Sequence, residues 1–563
     1  MRMFKLVFLF AFLYQFLPQM AFPVLQSVSL LCLLAGGASG TLQGPGVFGN
    51  NVASDSRTFI GQLGSMDGGG ILSLSLDWTA IAGLQPLVTP IWAQVNVLVA
   101  CIGFAWVLTP LYVYFNVWGS QTFPAISVEG YHLNGTFYNL WRVMDFKTVT
   151  IPITKEIPDL YVSPSFAFVI GCRFAVMSAA VVHFLLYYAK SSWSIFRTSK
   201  SKLIQRDVHS RMMLQYPDVP AHWYFLCMGI STLAAMFVTH HYRTEFQSEW
   251  WNVPFALALS GCFSLPFGII RAISNQSLNF NVLAQFIMGM LKPGYILANV
   301  TFRGFCSAIM DTALMYCVSM KLGQYMKIPP RLTFLYHLWG IIVSSFGNFT
   351  VLDMAMTMMA KHARNWAQSF SQSAWKANQY NHGAQWTAAK LPKMLMTSAQ
   401  IWGGVSPKRF FTSETGYDNL YWFFVIGAIF PIMNYIMLRN FPRIGFHYIN
   451  WPIIFQAVGL VPIGFANSIL SVAIVTFITQ HLVRKHNRRW YDRYNYILSG
   501  ALDSAAIIVP VIVFFLNRGI PELSTSLNSP LNPNKTIFGP DYCGNVNRSS
   551  WIKQPRENRT RIP

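Results

Sequence analysis

The sequence predicts an all-α, polytopic integral membrane protein with broken helices. About eleven to thirteen transmembrane or re-entrant segments are expected, one for each apolar run long enough to enter a hydrocarbon core of roughly 30 Å. Three observations carry the prediction. Of 563 residues, 53% are hydrophobic and only 11% charged, against about 25% charged in an ordinary soluble domain. No Asp, Glu, Lys or Arg stands between Lys5 and Asp55. The cations behind a net charge of +21 gather in short connectors between apolar runs, which fits the positive-inside rule and not a nucleic-acid patch. A lipid bilayer is therefore the expected surrounding, and nucleic acid is not expected as a partner. Residues 1–517 read as one transmembrane domain and 518–563 as a polar carboxyl-terminal tail.

The amino terminus opens with a basic start and an apolar core that continues to about Leu34. It reads as two membrane segments broken near Pro18; a secretory signal is the alternative, but no clean small-x-small cleavage site follows. A Gly/Ser-rich stretch from Gly36 to about Gly70 is too polar and flexible to span lipid. The next apolar stretch, 71–90, is interrupted by Asp77, Pro86 and Pro90 and reads as re-entrant or interfacial. Spans are then expected near 91–115, 164–189, 222–240, 253–273, 296–318, 332–352, 419–438 and 496–517.

The connectors set the sides. Residues 116–163 hold more acids (Glu129, Asp145, Glu156, Asp159) than Lys and Arg, and a sequon at Asn134, so they belong outside. The connector after Ala189 carries Lys190, Arg197, Lys200, Lys202, Arg206 and Arg211 against Asp207 alone, and belongs in the cytoplasm, as does the basic run 484–494. The last span then puts the tail after Asn517 outside, and its sequons at Asn534, Asn547 and Asn558 are consistent with that side. One loop breaks the rule: 353–395 should be outside, yet it carries Lys361, Arg364, Lys376, Lys390 and Lys393 against Asp353.

Two regions do not read as simple spans. Residues 271–295 start and end with a cation (Arg271, Lys292) and hold Asn and Gln between. Residues 450–483 hold Pro452, Pro462 and Asn467 inside one apolar run. Both read as broken helices or hairpins. Irregular backbone at membrane depth is tolerated only where protein or a water-filled cavity satisfies it, so both are candidates for a substrate path. Ionisable residues inside spans are costly and therefore informative; Arg173, His183, Asp311 and Asp503 qualify. Seven of the eight cysteines lie in apolar runs and only Cys543 in the tail, without CxxC or His/Cys ligand spacing. Neither a disulfide framework nor a metal site is expected.

The connector KLGQYMKIPPR packs Lys321, Lys327 and Arg331, Tyr325, and the pair Pro329–Pro330 between two apolar runs. The cations suit a cytoplasmic anchor, the tyrosine an interface, and the prolines stop one helix and start the next. This stretch resembles the signature of the oligopeptide transporter family, close to DLKLGHYMKIPPR. Five further segments are similar to that family in its own order: 96–118, RDVHSRMMLQYPDVPAHWY, FGIIRAISNQSLNFNVLAQFIMG, IWGGVSPKRFF and RRWYDRYNYILSGALDSA. The resemblance implies a proton-coupled importer of short peptides, tri- to pentapeptides and glutathione-like ones included; a related branch takes up metal chelates. Departures are specific. The family's amino-terminal part, with an NPGPFN-type motif, has no counterpart here, so the chain reads as amino-terminally truncated relative to the family. The family Asp before KLG is Ser319, its His is Gln324, its QPG is Ser277, Leu278 and Asn279, and its Glu in ITELIIG is Gln285.

With the resemblance, Asn275, Gln276, Asn281 and Gln285 become the candidate substrate-binding amides, able to donate to and accept from peptide backbone. Arg271 is added as a partner for a substrate carboxylate. Asp311 and Asp503 are the candidate proton-coupling carboxylates. No cofactor is expected, the proton gradient being the driving force. The expected partners are a small peptide, protons and lipid; no oligomeric state follows. The membrane is the plasma membrane, with an internal membrane as the alternative. No GxSxG, Walker or HExxH motif suggests an enzyme. The alternative functions are a non-transporting paralogue or membrane scaffold, and a metal-chelate transporter.

Overall fold

In lipid, backbone groups must be satisfied within the chain, which leaves helices as the building block for apolar runs of this kind. The computed structural model describes residues 2–31, 63–64, 68–120, 122–123, 125–133, 135, 138, 159–197, 207–369, 390–460 and 466–519. The sequons at Asn134, Asn534, Asn547 and Asn558, most of the Gly/Ser-rich stretch 36–70, Lys200, Lys202, Arg206, Lys376, Pro462 and nearly all of the tail lie outside them. Among the described residues, ten helices are long and apolar enough to cross a membrane. Strands among the described residues are confined to two antiparallel pairs, Val28–Ser29 with Ser73–Leu74 and Gly130–Tyr131 with Tyr161–Val162.

We number the principal helices α1 (Arg2–Phe16), α2 (Ile91–Tyr114), α3 (Pro164–Tyr187), α4 (Ala221–His241), α5 (Asn252–Ser274), α6 (Asn281–Leu291), α7 (Ile296–Met326), α8 (Pro330–Ser369), α9 (Trp422–Asn440), α10 (Trp451–Val458), α11 (Ala466–His486) and α12 (Arg488–Gly519). Helix α3 is the centre of the bundle. Ser163 caps it by accepting from the Phe166 N–H at 3.2 Å, and Pro164 supplies the preset first turn. Helix α9 runs along α3, while α10 lies against both α3 and α2. Helix α1 packs along α12, and α5 along α7. Asn96 of α2 pins the start of α10, donating to the Tyr448 carbonyl at 2.7 Å and accepting from the Asn450 N–H at 3.1 Å.

The two irregular regions are broken, as expected. After α5 the chain turns at Asn275, whose φ is 60°, and residues 275–280 are not helical before α6 begins. The end of α6 returns to the face where α5 started. Lys292 donates to Glu249 at 2.7 Å, and the Leu297 N–H donates to Gln247 Oε1 at 3.1 Å. An 11-residue helix rises only about 17 Å at 1.5 Å per residue, so the rest of that crossing falls to the irregular stretch before it. Helix α6 is thus a half-helix whose amino end lies at mid-depth. The second broken region places the 8-residue α10 before α11.

Two expectations are corrected. The second amino-terminal membrane segment does not start as a helix after Pro18: Leu17–Ala21 is a wide helical turn, Pro23–Gln26 forms a 3-10 turn leading into the short strand, and the part beyond Leu31 lies outside the described residues. Two prolines so close remove the N–H groups that a second helix would need. The expected loop 353–395 is helical at both ends. Helix α8 continues to Ser369, and Lys390–Ala399 is helical. No Gly or Pro occurs in 353–369 to stop α8, so Lys361 and Arg364 ride on a helix that outlasts its apolar part. The interrupted stretch 71–90 holds one short helix, Trp78–Ala82, capped by Asp77, and no crossing helix.

At the Glu249 end, the hydrogen bond from Lys292 and then that from Trp251 hold the Glu249 carboxyl below the ordinary carboxylate value. A lowered value means stability that is complete above the unfolded pKa and lost as pH falls through the folded one. The pair is exposed, so it is worth at most about 1 kcal/mol. Glu249→Gln should therefore lower the apparent melting temperature slightly at pH 7 in detergent, and the difference should close below about pH 4. A difference that persists unchanged at low pH would mean that the ion pair is not its source.

Candidate functional site

Helices α3, α6 and α7, the irregular stretch before α6, Gly459 just past α10 and the 394–402 segment line a cavity of about 50 Å³. Its polar lining is Arg173, Asn279, Asn281, Gln285, Arg303 and Ser398. The space is small and polar on one side, and it has room for ordered water.

Arg173 projects from the middle of α3 and is 4% exposed. Its guanidinium donates to Gln456 Oε1 of α10, and the same oxygen accepts from the Asn279 N–H at 3.1 Å. Gly459, just past α10, faces the guanidinium; a Cβ there would overlap Arg173. Absence of a side chain at 459 is therefore what lets Arg173 reach the cavity. Gln285 of α6 is 1% exposed. Its Oε1 accepts from the Ser398 hydroxyl at 2.8 Å and its backbone carbonyl from Asn299 Nδ2 at 2.8 Å, while Gln285 Nε2 has no partner. Arg303 of α7 is part-buried and its Nε likewise has no partner. Unmade donors inside a protein cost about 1–3 kcal/mol each, and such groups call for a role.

Of the sequence-selected residues, the structure brings Asn281 and Gln285 to this cavity. Arg271, Asn275 and Gln276 are at the far end of the irregular stretch. Asn275 ends α5 in a left-handed turn and donates to Gln85 Oε1 at 2.6 Å. The Gln276 N–H donates to Ser274 Oγ at 3.1 Å, and Arg271 lies on the Met315 sulfur at 2.8 Å. Asp311 is exposed on α7, within electrostatic reach of Arg271. Asp503 of α12 is elsewhere: Oδ1 accepts from the Trp78 indole at 2.9 Å and Oδ2 from Ser499 at 3.1 Å. His183 faces Asn450 Nδ2 at 3.4 Å.

Sequence reasoning did not select Arg303, Asn279, Ser398, Gln456 or Gly459. Arg303 had a usable signal, being a cation inside the apolar run 296–318. The others acquire meaning only from the neighbours they meet in space. Asp77 was noted only as an interruption. It is 3% exposed and accepts from Gln15, from Gln19 at 2.8 Å and from the Thr79 hydroxyl at 2.6 Å, tying α1 to the short Trp78–Ala82 helix.

The KLGQYMKIPPR connector docks on the connector that follows α3. Gln324 Nε2 donates to Ser210 Oγ at 2.7 Å, the Lys327 ammonium is 2.9 Å from His209 Nδ1, and Arg331 Nε donates to the Asp218 carbonyl at 3.1 Å. Asp207 caps the helix Val208–Met213, and its carboxyl is held below its ordinary value first by the Ser210 hydroxyl. Lys321 covers the Tyr325 ring at 4.9 Å, Lys327 ends α7 with φ 60°, and Pro330 begins α8. Lys327 and Gln324 are thus structural clamps, and both connectors share one face, as their charge predicts.

A bundle of apolar crossing helices interrupted by two short ones around a polar cavity defines a polytopic integral membrane protein. The family model for OPT oligopeptide transporter protein matches residues 1–517. The chain belongs to the oligopeptide transporter family. It is 29% identical to oligopeptide transporter 5 of Arabidopsis thaliana over 97% of this chain and 68% of that protein. It is 30% identical to oligopeptide transporter 1 of the same plant over 91% of this chain and 65% of that protein. With oligopeptide transporter 4 it shares 30% over 82% of this chain and 62% of the relative. The chain spans about two thirds of the length of these relatives.

Gln456→Leu should leave one Arg173 bond and the Asn279 N–H unmade, at about 1–3 kcal/mol. The expected reading is a clear fall in the apparent melting temperature of the purified chain in detergent. An unchanged melting curve would show that Gln456 does not hold the broken segment in place.

Proposed function

We propose that this chain moves short peptides, tri- to pentapeptides and glutathione-like tripeptides among them, across a membrane. The observation that carries the reading is the cavity itself, where the amino end of the half-helix α6 meets the carboxyl end of α10 beside Arg173. A helix amino terminus favours anions, and its carboxyl terminus favours cations and donors. A peptide offers a carboxylate and a run of amides, which suit a guanidinium and carboxamides. Broken helices at mid-depth are the recurring substrate site of secondary transporters. The names of the relatives, oligopeptide transporters all, point to the same substrate class.

In this reading, transport alternates between two states. The cavity of about 50 Å³ must widen to one face and then to the other, by movement of α6 and α10 against α3. Proton symport supplies the driving force, with Asp311 and Asp503 as the proposed carboxylates. Both lie outside the cavity lining, so coupling would pass through helix movement and not through direct contact with peptide. The plasma membrane is the proposed location.

Reconstituted into liposomes, the full chain should take up a labelled tetrapeptide faster when the outside is acidic, and a protonophore should abolish the difference. Arg173→Ala should cut uptake at least about tenfold, the loss of one charge-assisted contact. Uptake that ignores the gradient would end the symport reading. Uptake unaltered by Arg173→Ala would remove the cavity from the path.

A further inference from the structure

Resting on the peptide-transport reading, we propose that the cavity selects peptides of net negative charge, and that Gln285 is a residue that sets this preference. Two guanidinium-bearing side chains, Arg173 and Arg303, line one small cavity, and no carboxylate lines it among the described residues. Arginine keeps its charge at neutral pH. Neither Arg173 nor Arg303 has an acidic ion-pair partner among the described residues. The amino end of α6 adds partial positive charge, and the carboxyl end of α10 at Gly459 offsets about as much. Among the described residues, the cavity therefore keeps close to two uncompensated positive charges.

Gln285 decides what else a ligand meets. Its Oε1 accepts from Ser398 at 2.8 Å, and its buried Nε2 has no partner among the described residues. It thus presents a donor to the cavity. A zwitterionic peptide brings a carboxylate that these groups match and an ammonium that they do not. Burying an ammonium beside two guanidiniums, with no counter-charge, is unfavourable. A peptide with an acidic side chain brings a second anion for the second arginine. A carboxylate at position 285 would give an ammonium its missing partner and cancel one of the two positive charges.

The test is equilibrium binding to the purified full chain in detergent, using labelled Glu-Ala-Glu, with unlabelled Gln-Ala-Gln, Lys-Ala-Lys and N-acetyl-Glu-Ala-Glu as competitors. Glu-Ala-Glu should compete at least about tenfold better than its neutral isostere Gln-Ala-Gln. N-acetyl-Glu-Ala-Glu should compete at least as well as Glu-Ala-Glu, and Lys-Ala-Lys worst. Gln285→Glu should narrow the acidic-to-neutral ratio several-fold. Arg303→Gln should narrow it too, which keeps the test sound if one variant fails to fold. Equal competition by acidic and neutral tripeptides, or a ratio unmoved in a folded variant, would overturn the charge preference while leaving peptide transport standing. If none of the four tripeptides binds and liposomes holding the chain take up no peptide, both readings fall together.

Discussion

One carboxamide oxygen holds the centre of this protein together. Gln456 Oε1 accepts from Arg173 in α3 and from the backbone of Asn279 at the edge of the broken stretch. Polar backbone at membrane depth persists only when protein or water satisfies it. Without this acceptor, the 275–280 stretch would lack an anchor to α10, Arg173 would lose a partner, and the amino end of α6 would have no fixed position. The arrangement is economical, since a neutral side chain orders a charge without cancelling it. A carboxylate in the same place would have quenched Arg173 and closed the cavity to anions.

Much of the fold could be read from the sequence because lipid leaves few alternatives. Apolar runs of sufficient length became helices at 164–187, 221–241, 252–274 and 422–440, close to the expected limits. The broken regions were also legible, since Asn, Gln and Pro in an apolar run announce backbone that cannot be plain helix. Helix ends were less legible. The extension of α8 to Ser369 followed from residues that merely fail to stop a helix, and polarity alone had suggested a loop. The site was legible in part. Asn281 and Gln285 belong to the cavity because they sit on the half-helix that was anticipated. Asn275 and Gln276, only a few positions earlier, lie at the other end of the extended stretch. Periodicity could not separate them, because an extended segment covers about 3.3 Å per residue and carries neighbours quickly apart. Gly459 and Ser398 carried no local signal, and their roles arise from contacts across the bundle.

The two family-signature connectors have a plain mechanical explanation. Gln324, Lys327 and Arg331 grip Ser210, His209 and the Asp218 carbonyl. Through these contacts the start of α4, the end of α7 and the beginning of α8 are held at one face. At the other face, Glu249 and Lys292 join the start of α5 to the end of α6. Between these two ties lies the irregular stretch 275–280, whose Asn279 end meets the cavity.

The half-helix geometry also has an electrical meaning. The amino end of α6 is about 17 Å from the Lys292 face, roughly half of a hydrocarbon core of about 30 Å. A charged group that reaches this depth has crossed about half of the membrane's electric field. At roughly 2.3 kcal/mol per elementary charge per 100 mV for a full crossing, each net charge on an occupant senses about 1 kcal/mol per 100 mV. Occupancy of a cavity at this depth by an anion would then rise or fall severalfold with membrane voltage, depending on the face from which it enters. A potassium diffusion potential imposed on liposomes would reveal this as a shift in half-saturation. The break in one helix would in this way set both where an anion stops and how strongly the membrane potential acts on it there.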